Sequence, residues 1–180
     1  MDKKLETALN NVETTYGELV NIANDMLNPM FEPINLIITQ VNATVNAMSI
    51  DQIRDYILRI QLKAFEISEI KEKAALKAEL AETLQKEKFA VSFNGLEGSA
   101  AVKDKLALVE TSAEIVTEAL YNLIANLLKT KLDQLHRLVD ALKSILMSRM
   151  QETKFMNMGS TNEIGPTTGT RVTLNELGEL

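Results

Sequence analysis

The chain has one histidine, His136, so any chemistry centred on imidazole must pass through it. Asp133 precedes it by three residues, which on a helix sets carboxylate and imidazole on one face. That pair supplies two ligands where a catalytic zinc site takes three from the protein, so His136 reads as a partly exposed structural histidine. Glu110, Glu114 and Glu118 recur every fourth residue and line one helix face. A di-metal carboxylate bundle also needs Glu-x-x-His pairs on neighbouring helices, and this chain has none, so the three acids read as a solvated face. The absence of cysteine removes disulfides, thiolate metal sites and cysteine nucleophiles. Gly165-Pro166-Thr167-Thr168-Gly169 has the glycines of a phosphate loop without its terminal lysine or following helix. There is no Gly-x-Ser-x-Gly elbow. Catalytic residues, metal ligands and cofactors are therefore all expected to be none, and an enzyme ranks last among the functional classes.

Nucleic acid is an equally poor fit. The net charge is −6, and the basic pairs Lys103/Lys105 and Lys129/Lys131 carry no interleaved aromatics on which bases would stack. No apolar stretch approaches the roughly 20 residues of a membrane span, and Met1-Asp2-Lys3-Lys4 does not open a signal peptide. The expected location is the cytoplasm, or the virion if the protein is viral. What the sequence does carry is helix. It has 180 residues, 46% of them hydrophobic, with only seven glycines and three prolines. Punctuation this sparse, with abundant Leu, Ala, Lys and Glu, predicts an all-α protein. Specifically, it predicts an elongated antiparallel bundle of three to four long helices with coiled-coil character and an extended C-terminal arm.

Four helices are predicted within a bundle spanning 1–153. The first, 1–28, carries a heptad seam of Leu5, Leu9, Val12, Tyr16, Leu19, Ala23 and Met26, spaced alternately by four and three. Pro29 and Pro33 should stop or kink it, since proline withholds a donor and restricts the residue before it. A second helix resumes over 34–48. Ser49 and Gln52 form a capping box that opens a third helix, 50–88, with the seam Ile53, Ile57, Ile60, Ala64 and Ile67. Its second half changes to Ala, Leu, Lys and Glu, predicting a projecting helix with a thin seam. Phe89, Val91 and Phe93 alternate before Asn94-Gly95 and Glu97-Gly98, so 89–99 reads as a loop whose two Phe residues plug the end of the bundle.

The fourth helix, 100–153, contains neither glycine nor proline. Its seam begins Val102, Leu106, Val109, Ala113, Val116, Leu120, Leu123 and Leu127, then shifts by one residue to Leu128, Leu132, Leu135, Val139, Leu142 and Leu146. Such a shift marks a stutter or a break near 122–130. Unbroken, the helix would run about 81 Å, far beyond a compact globule of this length, whose radius of gyration is about 16 Å. The rod is the favoured reading. Between Ala119 and Met150, 18 of 32 residues are apolar. A stripe this wide needs neighbours on more than one side, either within the chain's own bundle or across a subunit interface.

Residues 154–180 are different material, with four of the seven glycines and five threonines. Alone they would not form a core. Thr173 and Glu176 have capping-box spacing, and Val172, Leu174, Leu177 and Leu180 form a short apolar face of a kind that docks in a groove. These four, with Leu128, Leu132, Leu135, Val139, Leu142 and Leu146, are the candidate protein-interaction residues. The functional expectation is a non-enzymatic structural or assembly protein acting through helix packing, homo-oligomerisation and arm docking. Its partners are other protein chains, with neither nucleic acid nor a membrane span involved. A rod with a docking arm is common among virion, phage and secretion-apparatus components, which is analogy at the level of fold. The alternative is a helical adaptor or chaperone that binds one partner protein 1:1.

Overall fold

A computed structural model describes residues 3–160, with side chains described for 13–156. The described chain is all-helical: α1 spans Lys3–Thr44, α2 Ile50–Gly95, α3 Ala100–Glu110 and α4 Ser112–Ser160. At 1.5 Å per residue, the 46 residues of α2 and the 49 of α4 run about 69 and 74 Å. The elongated bundle expected from the sequence is what forms.

Three helices run side by side through half of the molecule. α2 and α4 are antiparallel: Arg54 reaches Met150, Lys77 reaches Tyr121, and Lys88 pairs with Glu114. α1 lies parallel to α4, with Asn35 accepting a 2.6 Å hydrogen bond from Lys131 and Arg149 reaching the α1 C-terminus. The core repeats every seven residues in each helix. In α1 it is Leu27, Ile34 and Val41, continued by Met48 in the turn that follows; in α2 Ile53, Ile60, Ile67, Ala74 and Ala81; in α4 Leu128, Leu135 and Leu142. This strict repeat is the signature of coiled-coil packing. The capping box at Ser49 and Gln52 is present in both directions, at 3.2 and 2.8 Å.

Four boundaries differ from expectation. The helix does not stop at Asn28: α1 continues through Pro29 and Pro33, joining the expected segments 1–28 and 34–48. Both prolines are exposed, while Leu27 and Ile34 flank them in the core. On the outer face the carbonyls that lose a donor are open to solvent, and the buried heptad holds the backbone on course. The loop over 89–99 shrinks to four residues, because α2 runs on to Gly95. Phe89 and Phe93 stack as an i,i+4 helical pair, centroids 6.0 Å apart, rather than alternating across a strand. The turn itself needs Gly98, whose φ of 121° is closed to most side chains.

The break in the long helix is at Thr111, not near 122–130. It is slight. The Thr111 N–H bonds back to Ala107, and its carbonyl accepts from Ile115, so the helical pattern crosses the junction. Its buried hydroxyl bonds the Ala107 carbonyl at 3.0 Å, supplying a local alternative to regular helix geometry. The stutter is absorbed without interruption by successive four-residue steps at Ile124, Leu128 and Leu132, all buried. Finally, α4 extends to Ser160, so the first seven residues of the expected arm are helical. Residues 161–180 lie outside the described part.

Candidate interaction surface

The α4 stripe singled out from the sequence is the centre of the chain's own bundle. Leu128, Leu132, Leu135, Val139 and Leu142 are buried, and Leu146 packs against them. They face Ile34 and Val41 of α1 and Ile53, Ile60 and Ile67 of α2 within one cluster. A surface offered to another chain must therefore lie elsewhere. Val172, Leu174, Leu177 and Leu180 fall outside the described residues.

The expected solvated line of Glu110, Glu114 and Glu118 is corrected by the structure. Glu110 is exposed, but the Glu114 side chain is only 14% exposed and pairs with Lys88 of α2. That hydrogen bond holds its carboxyl below the ordinary value of 4.5, against an opposing push from partial desolvation. Its Oε2 is buried with no hydrogen-bond partner. Glu118, half-buried one turn on, accepts from Asn122 and attracts Lys86, whose ammonium is raised chiefly by its bond to Glu82. At the next level Lys77 lies 4.9 Å from the Tyr121 ring centroid. The upper α2–α4 seam is thus small residues and charge: Ala74, Ala78, Ala81 and Ala107 are buried, with lysines of α2 meeting acids of α4.

The buried seam is therefore shifted by one residue from the expected one, which overturns a second expectation. Val102, Leu106, Val109, Ala113 and Val116 were read as the buried seam of the fourth helix, but all five are exposed, Val109 to 70%. Only Leu120, Leu123 and Leu127 of that line pack against the core. Leu76, Leu80, Leu84 and Val91 of α2 are exposed at the same end, as are Tyr16, Ile22 and Met26 of α1. Where open and closed halves meet there is a cleft of about 360 Å³ lined by Met26, Leu27, Ile70, Ala74, Tyr121 and Ile124. A second apolar line lies on the outside of the packed half: Leu58, Leu62 and Phe65 follow i, i+4, i+7 on α2, with Phe65 73% exposed.

Sequence reasoning missed Arg149, the residue that ties the three-helix end together. Its guanidinium donates to the carbonyls of Val45, Asn46 and Met48, three bonds from α4 to the turn just beyond α1. It thereby serves the orphan carbonyls of a helix end with positive charge, as the helix dipole favours. The signal was present, since Arg149 occupies the next heptad position after Leu135 and Leu142. Lys131 plays a similar part higher up, 5.3 Å from the Phe31 centroid and bonded to Asn35, with burial lowering its pKa.

His136 and Asp133 are both exposed on α4. Among the described residues no three of His, Asp or Glu cluster as a metal site would require, and no helix is long and apolar enough to cross a membrane. Comparison with family models, curated proteins and solved structures finds no match.

Proposed function

We propose that this protein is a non-enzymatic structural or assembly component that works by presenting long helical faces to other protein chains, first of all to copies of itself. The observation that carries the reading is the line Leu58, Leu62 and Phe65, bulky apolar side chains exposed on the outside of a helix whose inner face is already satisfied. A core needs no second apolar line at i, i+4, i+7 on its solvent side, whereas an interface between helices does. Heptad packing provides a rigid rod on which such a line keeps its spacing. In this reading Leu174, Leu177 and Leu180 would dock on a neighbouring copy. Rods with docking arms occur in virion and secretion-apparatus components, which is an analogy of architecture.

The test is the mass of the native chain in solution as a function of concentration. Association above the 20.0 kDa monomer is expected, and Leu62→Glu with Phe65→Glu should abolish it with helicity unchanged. A wild type that stays monomeric at high concentration would overturn the reading. The cleft at Met26, Ile70 and Tyr121 favours a second reading, a helical adaptor taking one partner helix in a groove. That reading predicts a stable 1:1 complex with a cargo protein.

A further inference from the structure

Two apolar lines in this chain have the same spacing. Leu5, Leu9, Val12, Tyr16, Leu19, Ala23 and Met26 step by four and three, and so do Val102, Leu106, Val109, Ala113, Val116, Leu120 and Leu123. Each member of the second line lies 97 residues after its counterpart in the first (102 − 5, 106 − 9, and so on to 123 − 26). Helices that run parallel with constant offset bring such lines face to face. α1 and α4 do run parallel, and where they touch the offset is 96, at the bond between Asn35 and Lys131.

The lower part of this match is made at Ala23 but not at Met26, which is 53% exposed while its neighbour Leu27 is buried. Ala23 is fully buried, and Leu120 and Leu123 pack on the core. Above it both lines are open at the residues described: Tyr16 is 60% exposed, and Val116, Val109, Leu106 and Val102 are exposed. The third wall tells the same story. Ile70 and Lys77 of α2 line the cleft beside Met26 and Leu27, and Leu84 and Val91, at the next two seven-residue steps, are exposed.

We propose that residues 5–19 of α1 dock along Val102–Val116 of the same chain, in the register of 97, extending the three-helix bundle to the full length of the rod. Continuity selects the occupant. The segment is covalently joined to the part of α1 already seated on α4, it is already helical, and its line meets the buried seam through one four-residue step from Ala23 to Leu27, matched 97 residues on by Leu120 and Ile124. Charge agrees, since in this register Lys105 and Glu13 take the flanking positions at which parallel coiled coils pair opposite charges, and both are exposed. Gly17, with nothing within 4 Å of where a Cβ would sit, is the point at which α1 bends most cheaply. Burying these lines fills the mouth of the cleft from within, and so withdraws the groove on which the adaptor reading depends. The outer line Leu58, Leu62 and Phe65 is unaffected.

The chain has no cysteine, which makes the test direct. Tyr16→Cys with Ala113→Cys places thiols at matched, exposed positions, where a disulfide forms only if the Cα atoms come within about 4.4–6.8 Å. Oxidation of the dilute full chain is expected to give mainly the intrachain disulfide at monomer mass. Tyr16→Cys with Val109→Cys, slipped by one heptad, should give at least tenfold less. Absence of the 16–113 bond, equal yield from the slipped pair, or disulfides formed only between chains would each overturn the proposal, the last by assigning the seam to a second copy.

Discussion

At the scale of single residues, charge is placed where the seam is thinnest. The Lys88–Glu114 pair bridges α2 and α4 beside alanines, and its carboxyl is depressed by the hydrogen bond it accepts. A carboxylate with a depressed folded pKa contributes stability above its unfolded value, and that contribution is lost as pH falls through the folded value. Glu114→Gln should therefore lower the melting temperature near neutral pH and flatten the acid limb of a stability profile below pH 4.5. Glu69, depressed by Lys73, is an exposed pair within one helix, and Glu69→Gln should change the same profile much less. Arg149 is the other decisive residue. Three carbonyls depend on one planar fork, and a single hydrogen bond to a charged group contributes about 1.5–3 kcal/mol, less where the site is open to solvent. Arg149→Met should cost about 2 kcal/mol in chemical denaturation, and Arg149→Lys should recover only part of that, because an ammonium cannot span the fork.

At the scale of elements, the two halves of α2 differ in what they bury. The lower half buries Ile53, Ile60 and Ile67 and the upper half Ala74, Ala78 and Ala81. At about 0.8 kcal/mol per buried methylene, each alanine contributes about 2 kcal/mol less than an isoleucine at the same register. Amide exchange should thus be faster over 71–88 than over 123–142 of α4, and equal rates would contradict the ledger of buried groups. The same contrast predicts that Leu135→Ala costs about 2–5 kcal/mol, while Leu76→Ala, at an exposed position, stays within about 0.5 kcal/mol. These elements also show what was legible in sequence. The seam Ile53, Ile60, Ala64 and Ile67 and the box at Ser49 were read correctly because local periodicity and capping chemistry decide them. Pro29 and Pro33 misled because their cost depends on which face they occupy, and tertiary packing decides that. The seam through Val102 and Val116 misled for a related reason. The face packed on α2 is instead that of Ala107, Thr111 and Glu114, one residue over, where small side chains meet the alanines of α2, a fit visible only with both helices in place. For the interaction surface, the wide stripe from Leu128 to Leu146 was correctly seen to need several neighbours, yet periodicity does not say to which chain those neighbours belong. Arg149 was passed over because a charged residue between methionines interrupts the pattern being sought.

At the scale of the whole molecule, the fold trades compactness for length. A rod of about 70 Å has a radius of gyration of about 20 Å or more, against about 16 Å for a compact globule of this size, and small-angle scattering of the monomer should return the larger value. A rod buries less surface per residue than a globule and leaves long lines of apolar side chains exposed, such as Leu58, Leu62 and Phe65. The part beyond Ser160 belongs to this argument. Arg149 holds the end of α1, and Glu152, Thr153 and Met156 lie beside Asn46 and Ser49, so a cut within α4 would disturb the bundle itself. A cut after Ser160 removes Val172, Leu174, Leu177 and Leu180 without touching those contacts. If Leu174, Leu177 and Leu180 dock as proposed, each would contribute roughly 1.5–3 kcal/mol when fully buried, and several copies presenting sites together would strengthen the contact. The expected outcome of truncation is unchanged helicity and melting temperature with weaker self-association at a given concentration. A lower melting temperature in dilute solution would place the leucines on their own chain, and association that is untouched would leave the outer line on α2 as the whole interface.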